Sequence, residues 1–394
     1  MNIFDQENAS ILQTYKRLPI SIDRAKGCYI YDDEGNEYVD FLAGIAVNAL
    51  GHSHNEIIEV VTDQISKYMH VSNYFYQKPQ VELAESLKHL SGFSKVFFTN
   101  SGTESMEGAL KIARKWGNEN AKKEIIAFTG GFHGRTYGAL SIMDKPHYKS
   151  NMGPFLPNTR ILNYNDISQL EEYIDEDTAA VVLEFLQGEG GIRLADKVFI
   201  EKLFELRDKF KFLIVADEIQ SGIGRTGKYF AYEHYNVIPD IVTLAKGMGG
   251  GLPLGAILTS EELSNIFEKG MHGTTYGGNA VACRTGKVVI DKLRSGLIDE
   301  VDVIGAYLEE KLELIKKQYP NIIKEVRGLG LMRGLLLNQN AAPLMEKLLD
   351  HRVITNVASG DVLRLVPPLI VSRKEIDLLY QALIYSMKEL EKEL

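Results

Sequence analysis

The sequence predicts an α/β protein with a large domain built on a mostly parallel sheet and a smaller α+β domain drawn from both chain ends. Three observations carry this reading. From 55 to about 275, apolar runs of strand length alternate with amphipathic helical stretches, the rhythm of a parallel sheet covered on both faces. Two of those runs, Phe212–Ala216 and Ile241–Ala245, lead straight into charged residues, Asp217 and Glu218 after the first and Lys246 after the second. Beyond about 280 the pattern changes to long amphipathic helices as far as about 318. Short strands follow near 322–337 and 353–366, with a last helix from about 373. The expected division is 1–54, an N-terminal segment belonging to the small domain; 55–279, the large domain; and 280–394, a linking helix and the rest of the small domain.

Composition narrows the function. The chain has 394 residues, 45% hydrophobic and 25% charged, with a net charge of −9 and no basic block, which argues against nucleic acid and anionic membrane as partners. Its two cysteines, Cys28 and Cys283, have no ligand spacing and suit a reducing compartment. The acidic N-terminus lacks a signal pattern, and no apolar run approaches the ~18 residues of a membrane span, so the expected location is cytoplasmic.

In chain order, residues 26–41 read as two alternating strands about a turn at 33–36, a β-hairpin. HisSerHis at 52–54 has no further His, Cys or carboxylate at ligand spacing, so a loop or helix start is preferred to a metal site. The strand 95–100 leads into SerGlyThrGluSer (101–105), where Ser101 and Glu104 stand at capping-box spacing and Gly102 allows close backbone approach. A strand, a small-residue turn and a helix N-terminus present N–H groups to an anion, typically phosphate, although an ordinary capped helix has the same sequence.

The stretch 222–229 matches GxGxxG and the first seven positions of a P-loop. Tyr229 replaces the required Ser or Thr, and Asp240 opens the next strand instead of closing it, so neither nucleotide reading is favoured. In a parallel sheet Asp217 and Lys246 would point into one crevice, the usual place for a ligand. A lysine partly desolvated there has a lowered pKa and an amine free to condense with an aldehyde. A strand-end ion pair is the plainer alternative.

These pieces, taken in order with PheHisGlyArgThr (132–136), GlnGlyGluGlyGly (187–191), residues 217–227 and GlyThrThrTyrGlyGlyAsn (273–279), resemble the class III pyridoxal 5′-phosphate (PLP)-dependent aminotransferases from about Tyr15 to Pro368. The resemblance implies the type I fold of PLP enzymes and a homodimer with shared active sites. It implies that Lys246 holds the cofactor covalently and then carries the proton, while Asp217 pairs with the pyridine nitrogen and Gln220 reaches the ring hydroxyl. Phe132 and Ile219 would sandwich the ring, Ser101, Gly102 and Thr103 would receive the phosphate, and Thr275 would reach the neighbouring subunit's phosphate.

By the same likeness, Arg135 with Thr274 nearby would take the carboxylate of an acylated ornithine. Arg364 would take the α-carboxylate of 2-oxoglutarate, Glu189 would cover Arg364 in the first half-reaction, and Tyr15 would face the substrate. Each arginine also suits an ordinary surface ion pair. Phe185 and Ala280 stand where the family usually has proline, which affects local backbone rigidity. Ile45 stands where ornithine-specific members carry tyrosine, and 40–52 is worded like members acting on N-acylated ornithines. The expected reaction moves the terminal amine of such a donor to 2-oxoglutarate in arginine biosynthesis. Ornithine or 4-aminobutyrate as donor, or a non-catalytic PLP- or nucleotide-binding protein, are the alternatives.

Overall fold

A computed structural model describes residues 3–393, leaving Met1 and Asn2 of the acidic N-terminus and the last residue outside the described chain. Its centre is a seven-stranded sheet in the order Lys95–Thr99, Gly255–Thr259, Ile241–Leu244, Leu213–Asp217, Thr178–Leu183, Glu124–Phe128, Thr159–Leu162. Only Gly255–Thr259 runs antiparallel to its neighbours. Successive residues of these strands point to opposite faces, and both faces are covered. Ile125, Ala127, Ala180, Val182, Leu213 and Val215 pack with Met106, Ala109 and Ile112 of the helix Gly102–Glu119. Their alternates Ile126, Val181, Leu183, Ile214, Val242 and Leu244 join the main core with the helices Lys197–Phe210 and Ala280–Lys292. Two-sided burial is why these strands read as unbroken apolar runs.

Strands from the two ends of the chain share a sheet. The predicted hairpin is Tyr29–Asp32 paired with Glu37–Asp40, and Val353–Ile354 adds to it in parallel. The strands Ile323–Leu329, Met332–Leu337, Val362–Leu365 and Asn356–Ala358 form a separate antiparallel sheet; Ile298–Gln318 packs against its first strand, and Arg373–Glu393 packs on that helix. Among the described residues no helix is long and apolar enough to cross a membrane.

Both departures from proline have local partners. Phe185 is fully buried against Tyr235, and Ala280 begins a helix whose Asn279 cap accepts from Val281 N at 3.0 Å and Ala282 N at 3.4 Å. The glycine-rich stretch 222–229 folds as buried turns, with Gly224 and Gly227 at φ +83° and +84°. Arg225 is enclosed there and donates to the carbonyl of Leu331 at 3.3 Å. The next helical turn, Ala231–Tyr235, is a short 3-10 turn, so the helix N-terminus that either nucleotide motif needs is missing behind it.

Candidate active site

Parallel strands bring their C-terminal ends to one edge, and the chemistry collects there. Lys246, Asp217 and residues 100–103 all line one cavity of about 430 Å³. Lys246 follows Ala245 in a left-handed backbone conformation, φ +45°, unusual for a side-chain-bearing residue and of the kind held at functional sites. Among the described residues its amine makes no hydrogen bond or ion pair. Burial, helped by the positive charge of Arg364, pushes its pKa down from 10.5 to about 8. The strand-end ion pair is therefore not what the structure builds.

Asp217 is instead paired with a residue the sequence reading passed over. His133 Nδ1 stands 2.7 Å from Asp217 Oδ2, both groups buried, while Ile219 N donates to Oδ1 at 3.1 Å. Burial works against a charged imidazole at His133. The Asp217 carboxylate, with Glu184 beyond it, outweighs burial and raises the pKa of His133. Glu184 also lines the cavity and accepts from Phe132 N at 3.0 Å and Gly188 N at 3.1 Å. Burial and the charge of Asp217 push its carboxyl up to about 7. Glu218 points the other way, accepting from Ser221, Ala231 and Tyr232, a fastening of the following loop. His133 sits inside the PheHisGlyArgThr motif, so a histidine one step from a predicted ring-stacking residue was the available signal. Its pairing across 84 residues was not.

The N-terminus of Gly102–Glu119 is capped as predicted, Ser101 Oγ accepting from Glu104 N at 3.3 Å. The return arm differs from the ideal box, because Glu104 Oε2 accepts from Asn100 N at 2.7 Å. Thr103 Oγ1 is occupied by Thr136 at 2.9 Å, which leaves the backbone N–H groups of the first turn, not its hydroxyls, to face the cavity. At Gly102 the lack of a side chain is required, since a Cβ would stand 2.7 Å from Ile219 Cγ2.

Arg135 is exposed at the cavity wall, lies over the Tyr148 ring at 3.6 Å and has no carboxylate partner among the described residues. Arg364 is buried, its Nη1 2.5 Å from Glu189 Oε1 and 3.3 Å from Gln220 Oε1, with Nε donating to Asn356 Oδ1 at 3.1 Å. Gln220, Phe132, Ile219 and Glu189 line the cavity. Thr274 lies outside its lining but accepts from Asn100 Nδ2 at 3.0 Å. Thr275 is exposed on the surface. Tyr15 is not brought to the site: it is 73% exposed, outside the cavity lining, with Arg17 over its ring.

Between these parts runs a turn absent from any sequence expectation. Ala43, Gly44, Ile45 and Ala46 have φ of +50°, +65°, +67° and +62°. Left-handed backbone costs an L-residue roughly 1–2 kcal/mol, so the three side-chain-bearing residues store roughly 3–6 kcal/mol that their surroundings offset. Val47, directly after it, lines the cavity, and Ile45 is left partly exposed.

The residues present fit a phosphorylated aldehyde cofactor: a free amine of depressed pKa, a buried acid, an N-terminal helix turn cleared of side chain by Gly102, and aromatic and aliphatic walls. Residues 11–386 match the family model for aminotransferase class III. The acetylornithine aminotransferase of Methanocaldococcus jannaschii is 44% identical over 99% of this chain and 99% of its own. That of Aquifex aeolicus is 43% identical over 93% and 96%. Among solved structures, the ornithine aminotransferase of Toxoplasma gondii superposes with a TM-score of 0.94 at 30% identity, over 99% of this chain and 95% of that one. A second crystal structure of that enzyme has PLP partially occupying its active site.

Proposed function

The chain belongs to the class III aminotransferases, and on that premise we propose a PLP-dependent reaction on an N-acylated ornithine. The terminal amine of N2-acetyl-L-ornithine passes to 2-oxoglutarate, giving N-acetyl-L-glutamate 5-semialdehyde and L-glutamate, in cytoplasmic arginine biosynthesis. The observation that carries this is the pairing state of the two arginines. Arg135 is free to take a carboxylate, whereas Arg364 is covered by Glu189. An acylated ornithine presents one carboxylate to a distant guanidinium, and 2-oxoglutarate presents two.

When bound, PLP supplies an aldehyde for the donor amine and a ring that accepts electrons after proton loss. Lys246, neutral in a useful fraction near pH 8, would hold that group through its amine and, once free of it, could carry the proton as base and acid. Asp217, aligned by His133, would pair with the ring nitrogen. Gln220 receives Arg364 on its oxygen and so offers its amide N–H to the ring hydroxyl. The first-turn N–H groups at Gly102 and Thr103 would receive the phosphate. For the acceptor half-reaction Glu189, set in the glycine-rich run 188–191, swings off Arg364 and exposes a fork for the α-carboxylate.

The donor follows from Ile45. Isoleucine offers no partner to the charged head of free ornithine, and an acylated head has lost that charge. N-acetyl- or N-succinylornithine is expected to exceed ornithine and 4-aminobutyrate by at least about tenfold in kcat/KM. Single half-reactions followed by loss of the cofactor's visible band test this; faster bleaching by either unacylated donor defeats the assignment.

A homodimer with shared sites completes the reading. Tyr74, Phe75 and Tyr76 are exposed beside the loop carrying Thr275, to which Asn73 is tied through the carbonyls of Thr274 and Gly277, both at 3.1 Å. An exposed apolar patch of this kind marks a protein contact. If Thr275 reaches the neighbour's phosphate, Thr275→Glu should weaken cofactor retention together with activity. A fully active monomer in sedimentation contradicts it.

A further inference from the structure

HisSerHis at 52–54 has no place in the machinery above. We propose that His52, acting through Asp40, is a positioning residue that holds the left-handed turn Ala43–Ala46 against the cavity and thereby sets the affinity for the amine donor. Asp40 is buried at the end of the strand Glu37–Asp40, and its Oδ1 accepts from both Leu42 N and Ala43 N at 2.8 Å, fixing the entry to the turn. Its Oδ2 stands 2.7 Å from His52 Nε2. His52 is anchored in turn: its backbone N donates to Gly27 O at 2.8 Å and its carbonyl accepts from Gly27 N at 2.9 Å. On its other side His52 Nδ1 faces Asn48 Nδ2 at 3.5 Å, and Asn48 N donates to Ala43 O at 2.9 Å. Asp40, backed by His52, therefore braces the entry to the turn, and Asn48, just beyond its exit, ties back to that entry through its backbone and to His52 through its side chain.

The turn lies where such bracing has consequences. Ala46 packs with Ile192 and with Met332 and Val362, the last two on the sheet that carries Arg364. Its carbonyl lies 3.5 Å from where a Cβ on Gly247 would stand, beside Lys246, and Val47 lines the cavity. A strained segment relaxes when a restraint is removed. Here relaxation would shift Val47, the apolar side chain that the segment contributes to the cavity wall, and leave Lys246, Asp217 and the helix at Gly102 in place. The acceptor, gripped at its carboxylates, depends less on that wall than the donor's acylated end does.

The proposal takes only the donor's identity from the acylornithine reading. Full-length holoenzyme carrying His52→Ala is expected to show a KM for N-acetylornithine raised about tenfold or more, with kcat and the KM for 2-oxoglutarate within about threefold of wild type. Amide hydrogen exchange over 42–48 should quicken in the substrate-free protein. His52→Gln, whose side-chain amide can donate to Asp40, should recover most of the donor KM. Unchanged donor KM and exchange, or an equal loss for both substrates that His52→Gln does not repair, overturns the proposal. If His52→Ala does not fold, Asn48→Ala, which removes the contact to His52 Nδ1 and leaves His52–Asp40 in place, should give the same signature in weaker form, and an unaltered donor KM in it counts against the idea. Should wild type prefer another donor, the acylornithine assignment fails alone, and the same comparison made with that donor decides the role of His52.

Discussion

Lys246→Ala is expected to abolish turnover while leaving the fold intact. Among the described residues no other amine lines the cavity, and one residue serves as both covalent anchor and proton carrier, so nothing there replaces either role. Borohydride reduction followed by intact-mass measurement should find covalently attached cofactor in wild type and none in the variant. Near-normal turnover in the variant would falsify the mechanism. Stability should move the opposite way. The folded-state pKa of Lys246, about 8, lies below its ordinary 10.5. The folded protein therefore bears a cost for the charged amine that is fully present below pH 8 and fades as pH rises to about 10.5. Without cofactor, Lys246→Ala should melt higher than wild type at pH 7, and the difference should shrink toward pH 10; a lower Tm at pH 7 would contradict the desolvated amine.

Asp217→Asn should lower kcat by roughly 10²–10³-fold, the scale of removing one preorganised electrostatic contact. The amide is nearly the same shape and can still accept from Ile219 N, so the cavity survives. What disappears is the negative charge that His133 orients and that a protonated ring nitrogen needs. Covalent loading at Lys246 should persist, because attachment does not require an electron-accepting ring. A change confined to KM, with kcat preserved, would make Asp217 a structural acid only.

Much of this was legible along the chain because it follows from local pattern. The apolar runs before Asp217 and Lys246, the Ser101 cap and the hairpin at 29–40 each need only short-range rules, and the structure contains them all. Family resemblance added Glu189 opposite Arg364, a pair 175 residues apart that folding brings to 2.5 Å. Tyr15 was placed near substrate by likeness alone, and the folded chain leaves it exposed.

What the sequence by itself determined is the order of the strands along the chain and which residues stand at their ends, since periodicity and capping are properties of neighbours in sequence. Only the tertiary structure decided which of those ends share a cavity. It alone gave Asp217 a buried histidine and left Arg135 without a carboxylate partner among the described residues, because charge pairing inside a core is set by proximity across the sheet. It also decided the left-handed turn at Ala43–Ala46. Local preference opposes positive φ at alanine and isoleucine, and the turn persists because Asp40, backed by His52, and the packing of Ala46 outweigh that preference.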